Sequence, residues 1–215
     1  VLFSCASAPV ATVVSGPAAG QYVATCNGYD WGTGVDKVVI NAGKEVSGVT
    51  AADFSVLVEA EAFDWVGLFT TGMDVGVSTT PRIVTDAYTC DGAGNRVNGA
   101  SEYVALELFV DPNTGAYLYF DLRDYMNHIP SVYNMTITSE KLGLAVTEGS
   151  LTYGLTDLFV RDQKSTTGDI TLTYAYFRPE GAKAGKTPLI IWLHGMGEGG
   201  TNSIIPLQGN KVANL

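Results

Sequence analysis

The hydrophobic positions of residues 20 to 145 recur with a period of two. Phe54, Val56, Val58 and Ala60 alternate with Ser55, Leu57, Glu59 and Glu61. Val104, Leu106, Leu108 and Val110 alternate with Tyr103, Ala105, Glu107 and Phe109, and Tyr133, Met135 and Ile137 with Asn134, Thr136 and Thr138. Successive strand side chains point to opposite faces, so each run predicts a half-buried strand. Turn chemistry separates the runs. Asp91-Gly92-Ala93-Gly94-Asn95 is one such turn. In Asp111-Pro112-Asn113-Thr114-Gly115, Pro112 presets φ and Gly115 is free to take φ > 0. No helical period appears in this half. Many short strands with regular turns predict an all-β sandwich or small barrel.

Near residue 145 the pattern changes. Leu158-Phe159-Val160 and Ile170 to Arg178 predict two strands joined by a polar hairpin over residues 162–169. A connection through Gly181 and Gly185 then leads to Pro188-Leu189-Ile190-Ile191-Trp192-Leu193. That run is apolar throughout, as expected of a strand covered on both faces in a parallel sheet. The expected organisation is a tail over 1–19, a sandwich over 20–145, and a second unit over 146–215 that starts antiparallel and turns α/β.

Composition narrows the partners. Hydrophobic residues make up 46% of the 215 and charged residues 16%, enough apolar surface for a core. The formal net charge is -10, and the 12 Lys and Arg form no basic run, which excludes nucleic acid and anionic membranes as partners. No apolar run is long enough to predict a transmembrane helix. Ala6-Ser7-Ala8 has the small-x-small form of an export cleavage site, and Leu2-Phe3-Ser4-Cys5 is a loose lipoprotein box with Cys5 as acceptor. A secreted or cell-envelope location is therefore expected. The cysteines at 5, 26 and 90 match no zinc spacing; Cys26 and Cys90 are either a disulfide across the sandwich or two separate thiols.

The segment that carries chemistry is His194-Gly195-Met196-Gly197-Glu198-Gly199-Gly200, directly after the apolar run. Ester hydrolysis passes through a tetrahedral oxyanion, which needs donors about 3 Å away, and rigid backbone N–H groups serve well. Glycines let the chain turn sharply and let a substrate approach the backbone. A Gly-rich turn can instead cradle phosphate, but no Lys-Ser or Lys-Thr follows and no GxGxxG is formed.

This loop, between a Pro-Leu-Ile-Ile-Trp-Leu strand and Thr201-Asn202, resembles the oxyanion loop of bacterial carboxylesterases of the α/β-hydrolase fold, feruloyl-esterase-like enzymes among them. The runs Asp30-Trp31-Gly32 to Ile40, Gly43 to Val46, Ala52-Asp53-Phe54, Val84 to Tyr88 and Gly94 to Val97 resemble the N-terminal immunoglobulin-like domain that some of these enzymes carry. The resemblance implies a sandwich followed by the first three strands of an α/β-hydrolase domain. It assigns the Met196 backbone N–H as one oxyanion donor, Gly195 and Gly197 as shapers of the loop, and His194 as the residue whose ring orients it. It implies no cofactor and no metal. The substrate would be an ester of a small acid, acetyl or feruloyl groups on plant polysaccharide included.

Gly-x-Ser-x-Gly does not occur in these residues. In α/β-hydrolases the nucleophile, acid and base follow the oxyanion strand, so the resemblance places all three past Leu215. The chain is then expected to be a fragment, a nicked product or one piece of an assembly completed by the remainder of the hydrolase domain. His128 is expected to be a structural or surface histidine. Tyr22, Tyr29, Trp31 and Trp65 are weighed as a sugar-stacking platform against a role in the core. Asp111, Asn113 and Asp121 are weighed as a calcium site against turn chemistry, which explains them better.

Overall fold

The computed structural model describes residues 15–72, 75–209 and 211–214, with the side chain of Trp65 left aside. Ala6-Ser7-Ala8 and Cys5, which carry the export and lipidation expectations, lie outside those residues.

The strands are β1 (Gln21–Tyr29), β2 (Gly32–Val46), β3 (Ser55–Phe63), β4 (Val75–Arg82), β5 (Val84–Cys90), β6 (Ser101–Leu108), β7 (Tyr119–Asp121), β8 (Met126–His128), β9 (Tyr133–Ser139), β10 (Leu144–Val146), β11 (Glu148–Thr152), β12 (Val160–Thr167) and β13 (Ile170–Tyr176). They form a five-stranded sheet ordered β11-β1-β2-β6-β5 and a four-stranded sheet ordered β10-β9-β3-β4. The first sheet contributes Val38, Ile40, Val104 and Leu106 to the core, the second Val56, Val58, Met135 and Ile137, and all eight are buried in one cluster. Of the sandwich and small barrel that the alternating runs allow, this is a sandwich, of the immunoglobulin-like kind that the resemblance implies. The sheets are also joined by a polar contact, the Met135 N–H donating to the Tyr22 hydroxyl at 3.2 Å.

Two turns follow their residues closely. Gly115 takes φ 81° where Asp111 and Thr114 exchange backbone hydrogen bonds. The Asp91 carboxylate accepts the N–H groups of Ala93 and Asn95, both at 2.9 Å. A short helix, α1 (Trp65–Thr70), stands where no helical period is visible. Its signal is local: Asp64 Oδ1 accepts the N–H groups of Val66 and Gly67 at 3.0 and 2.9 Å, an N-cap.

The structure bears on three of the expectations, departing from two and deciding between the alternatives of the other. The sandwich does not stop at residue 145, because β11 runs parallel to β1 with Gln21 opposite Glu148 and Thr25 opposite Thr152. Cys26 and Cys90 are free and buried. They stand three strands apart in one sheet, about 14 Å at the usual strand spacing, far beyond disulfide reach. They also belong to separate apolar clusters, Cys26 in the main core and Cys90 with Val39 and Ala105.

Third, residues 188–193 form no strand. Leu189 is 81% exposed and Leu193 83%. A strand buried on both faces needs neighbours for its N–H and C=O groups, and among the described residues none flanks this run. The other two strands of the second unit do form: β12 and β13 pair antiparallel with each other alone, leaving Ile170, Leu172, Tyr174 and Tyr176 exposed.

Leu106 packs in the centre of the sandwich with no exposed surface. We expect Leu106→Ala to lower unfolding free energy by about 2–5 kcal/mol, read as a shifted urea midpoint with an unchanged slope.

Candidate active-site loop

The loop from His194 to Gly200 rests on the β7–β8 hairpin. The Asn127 N–H donates to the Gly197 carbonyl at 2.6 Å. Gly197 takes φ 92°, and a Cβ there would stand 3.2 Å from both a Phe120 ring carbon and the Tyr125 carbonyl oxygen, so the position requires glycine twice over. A Cβ on Gly199 would meet the Met126 methyl at 3.2 Å.

Glu198 closes the loop from within. It is buried, and its Oε2 accepts the Gly195 N–H at 3.0 Å, while its own N–H donates to the Gly195 carbonyl at 3.3 Å. The carboxylate lies so close to Gly209 that a Cβ on that residue would come within 2.3 Å of Oε1. His194 Nδ1 lies 2.9 Å from the Gly195 carbonyl oxygen, and the Met196 side chain is 91% exposed. The loop residues thus form one tight turn, with the backbone fixed and the Met196 side chain outside. Glu198 is the member that motif reasoning missed; its signal is a lone acid within a glycine run.

Two further contacts hold the chain after the loop. Ser203 donates to Asp162 Oδ1 through its N–H at 2.9 Å and its hydroxyl at 2.7 Å, and accepts the Asp162 N–H at 3.0 Å. These donors, the Ser203 N–H first, hold the Asp162 carboxyl below its usual range. The helix α2 (Ile204–Gly209) then inserts Gln208, 1% exposed, into the sandwich. Its Oε1 accepts from the Thr33 hydroxyl at 2.8 Å, and its Nε2 donates to the Tyr153 carbonyl and the Thr156 hydroxyl, both at 3.0 Å. Nothing in the local pattern marks Gln208, because its partners come from β2 and from the segment after β11.

The remaining candidates fall elsewhere. His128 is half-exposed on β8, where its Nε2 lies 2.9 Å from Asp124 Oδ2 and its ring stacks on Tyr119. Asp121, Asp124 and His128 each bring one ligand atom within 4.8 Å of the others. However, both oxygens of Asp121 already accept from the Arg123 guanidinium, which holds that carboxyl down to about 2. Asp111 spends its carboxylate on the Asn113 N–H, so turn chemistry accounts for it. The aromatic platform is not assembled: Tyr22 is in the core, while Tyr29 and Trp31 stack on each other at 5.1 Å with rings 6° apart. The side chain of Trp65 lies outside the description. Burial pushes the Cys26 thiol up to about 12 and the Cys90 thiol up to about 11, away from the thiolate form that a nucleophile uses.

The fold and loop define an immunoglobulin-like domain that runs on into a glycine-rich turn anchored on it. The family model described as Esterase Ig-like N-terminal domain matches residues 21–171, and the chain belongs to that family. It also resembles a solved structure titled "Crystal Structure of a Thermostable Esterase", with a TM-score of 0.68 and 20% identity over 88% of this chain. At that identity the likeness is one of fold. The chain spans about half of that structure, 51% of its length. No curated protein matches it.

Replacing Gln208 by leucine keeps the bulk of the side chain, removes its bonds to Thr33 and to the Tyr153 carbonyl, and takes from the buried Thr156 hydroxyl its partner. We expect Gln208→Leu to destabilise by about 1–3 kcal/mol. Faster amide exchange over 203–209 than over β1 and β2 should accompany it. Uniform exchange across the chain would show that Gln208 does not anchor this helix.

Proposed function

We propose that this chain is the N-terminal portion of a serine carboxylesterase, in which the sandwich precedes an α/β-hydrolase domain and the turn at His194–Gly197 is the oxyanion loop. One observation carries the reading: in a member of the Esterase Ig-like N-terminal domain family, whose match ends at residue 171, the chain continues to a His-Gly turn at 194–195 that is closed from within by Glu198 and bonded to the β7–β8 hairpin through Asn127.

The chemistry follows from that turn. A developing oxyanion is stabilised by donors that need no rearrangement. Here the Gly195 and Gly197 carbonyls accept from neighbouring backbone N–H groups, and the Gly195 N–H is taken by Glu198. The bond to the Gly195 carbonyl fixes the Gly195–Met196 peptide plane, which carries the Met196 N–H, and the bond to the Gly197 carbonyl fixes the Gly197–Glu198 plane beyond it; in this reading the Met196 N–H is the donor offered to the substrate carbonyl. His194, with Nδ1 against the Gly195 carbonyl, positions the loop and takes no proton from the nucleophile. The nucleophile, acid and base belong to hydrolase sequence outside these residues, in which Gly-x-Ser-x-Gly is not found. No cofactor enters the reaction.

The apolar surface on β13 and on residues 189–193 fits the same reading. Leu172, Ile190 and Ile191 are each more than 60% exposed, as expected of strands whose covering helices and flanking strands come from the remainder of the hydrolase domain. The substrate in this reading is a carboxylic ester, with acyl or feruloyl esters of plant polysaccharide as the class to test first. The location is secreted or cell-envelope, on the strength of the small-x-small site and Cys5 near the N-terminus.

The test is p-nitrophenyl acetate hydrolysis by the longer polypeptide that carries this chain ahead of a hydrolase domain. Gly197→Val introduces a Cβ against Phe120 and Tyr125 at a positive φ. We expect kcat to fall by about 10²–10³ with little change in KM and an unchanged sandwich by circular dichroism. An unchanged kcat would remove the loop from the reaction.

A further inference from the structure

The inner face of β4 breaks the pattern that builds the rest of the sandwich. Residues directly opposite each other in an antiparallel pair share a face. Val56, Val58 and Ala60 of β3 face or pack against the core, and they stand opposite Arg82, Thr80 and Ser78. On this core-side face of β4 Arg82 is buried while Ser78 and Thr80 are exposed, and Val77 on the other face is 54% exposed. A buried arginine at a core-facing position costs stability unless its charge has a use.

Arg82, Ser78 and Thr80 line a cleft of about 490 Å³ between β4 and residues 112–122, within the size range of small-molecule sites. Phe63, Tyr117, Tyr119 and Tyr133 supply aromatic wall. Arg82 is 6% exposed. Its Nη2 donates to the Val35 and Phe109 carbonyls at 2.7 and 3.0 Å, which fixes the guanidinium across the two sheets. Its Nε and Nη1 are buried with no carbonyl or carboxylate partner, and the buried Tyr133 hydroxyl interacts with the guanidinium. Among the described residues no carboxylate lies within ion-pair distance of Arg82. A buried cation with no counter-ion is costly to keep, and a carboxylate satisfies it.

We propose that this cleft binds a monocarboxylate with an apolar, ring-sized body, its carboxylate taken by Arg82 and the Tyr133 hydroxyl and its body by the aromatic wall. The charge follows from the lining, which holds one cation and one acid, Glu61. Glu61 spends an oxygen on the Ser131 N–H at 2.7 Å, so it leaves the Arg82 end to the ligand. A single guanidinium suits a monoanion better than a phosphate dianion. The site belongs to the sandwich, so it stands or falls independently of the esterase reading.

The test uses the full 215-residue chain with benzoate and its neutral isostere benzamide, by isothermal titration at neutral pH. We expect benzoate to bind at least about tenfold more tightly than benzamide, the difference expected of a hydrogen bond to a charged group. Tyr133→Phe should weaken benzoate and leave benzamide unchanged. Because Arg82→Met also removes the bonds to Val35 and Phe109, the decisive variant is Ser78→Leu, which fills the cleft and leaves Arg82 in place; it should abolish binding while the melting temperature holds. Equal affinity for the two ligands, no binding of benzoate at millimolar concentration, or full binding by a folded Ser78→Leu would overturn the proposal. The first two results would mean that ordered water solvates the Arg82 guanidinium.

Discussion

Ile40 and Leu106 on one sheet pack against Met135 and Ile137 on the other, and each of the four is fully buried. Burying such side chains contributes about 1.5–3 kcal/mol apiece, and the rest of the molecule hangs on the frame they make. The segment after the β12–β13 hairpin is attached mainly by polar contacts: Asn127 to Gly197, Asp162 to Ser203, and the buried amide of Gln208. Hydrogen bonds of this kind contribute about 1 kcal/mol net. Their value here is geometric, because each ties one backbone segment to another: the loop to the β7–β8 hairpin, residue 203 to β12, and α2 to β2. The loop takes its shape from the sandwich rather than from a core of its own.

What the sequence discloses and what it hides divide along the range of the interaction. Val56 and Val58, Leu106 and Leu108, and Met135 and Ile137 announce their strands because a period of two is a property of neighbours. Gly115 announces its turn for the same reason. The parallel pairing of β1 with β11 joins residues more than 120 positions apart, and no pattern in either strand marks it. Gln208 reads as an ordinary polar residue in a short helix until Thr33 and Thr156 are seen beside it. The polar core-side face of β4 is invisible until the register with β3 says which way Arg82 points. Residues 189–193 show the converse: the pattern of a doubly covered strand is present, yet among the described residues nothing covers it.

Membership in the Esterase Ig-like N-terminal domain family and the polar seam bear on the same point. In this account the sandwich is a platform that presents a preformed turn to a catalytic domain, with Glu198 fixing the turn from inside and the β7–β8 hairpin fixing it from below. In the proposed reading, the apolar face of β13 and of residues 189–193 is the surface on which that domain would assemble.

The central claim is that these residues supply the oxyanion loop of a serine esterase whose nucleophile lies elsewhere in the enzyme. Labelling with a fluorophosphonate probe, which marks an activated serine covalently, tests it most directly. The account predicts label on the longer polypeptide that contains this chain and none on the isolated 22.7 kDa chain. Label on the 22.7 kDa chain itself would place an active serine within these residues and contradict it.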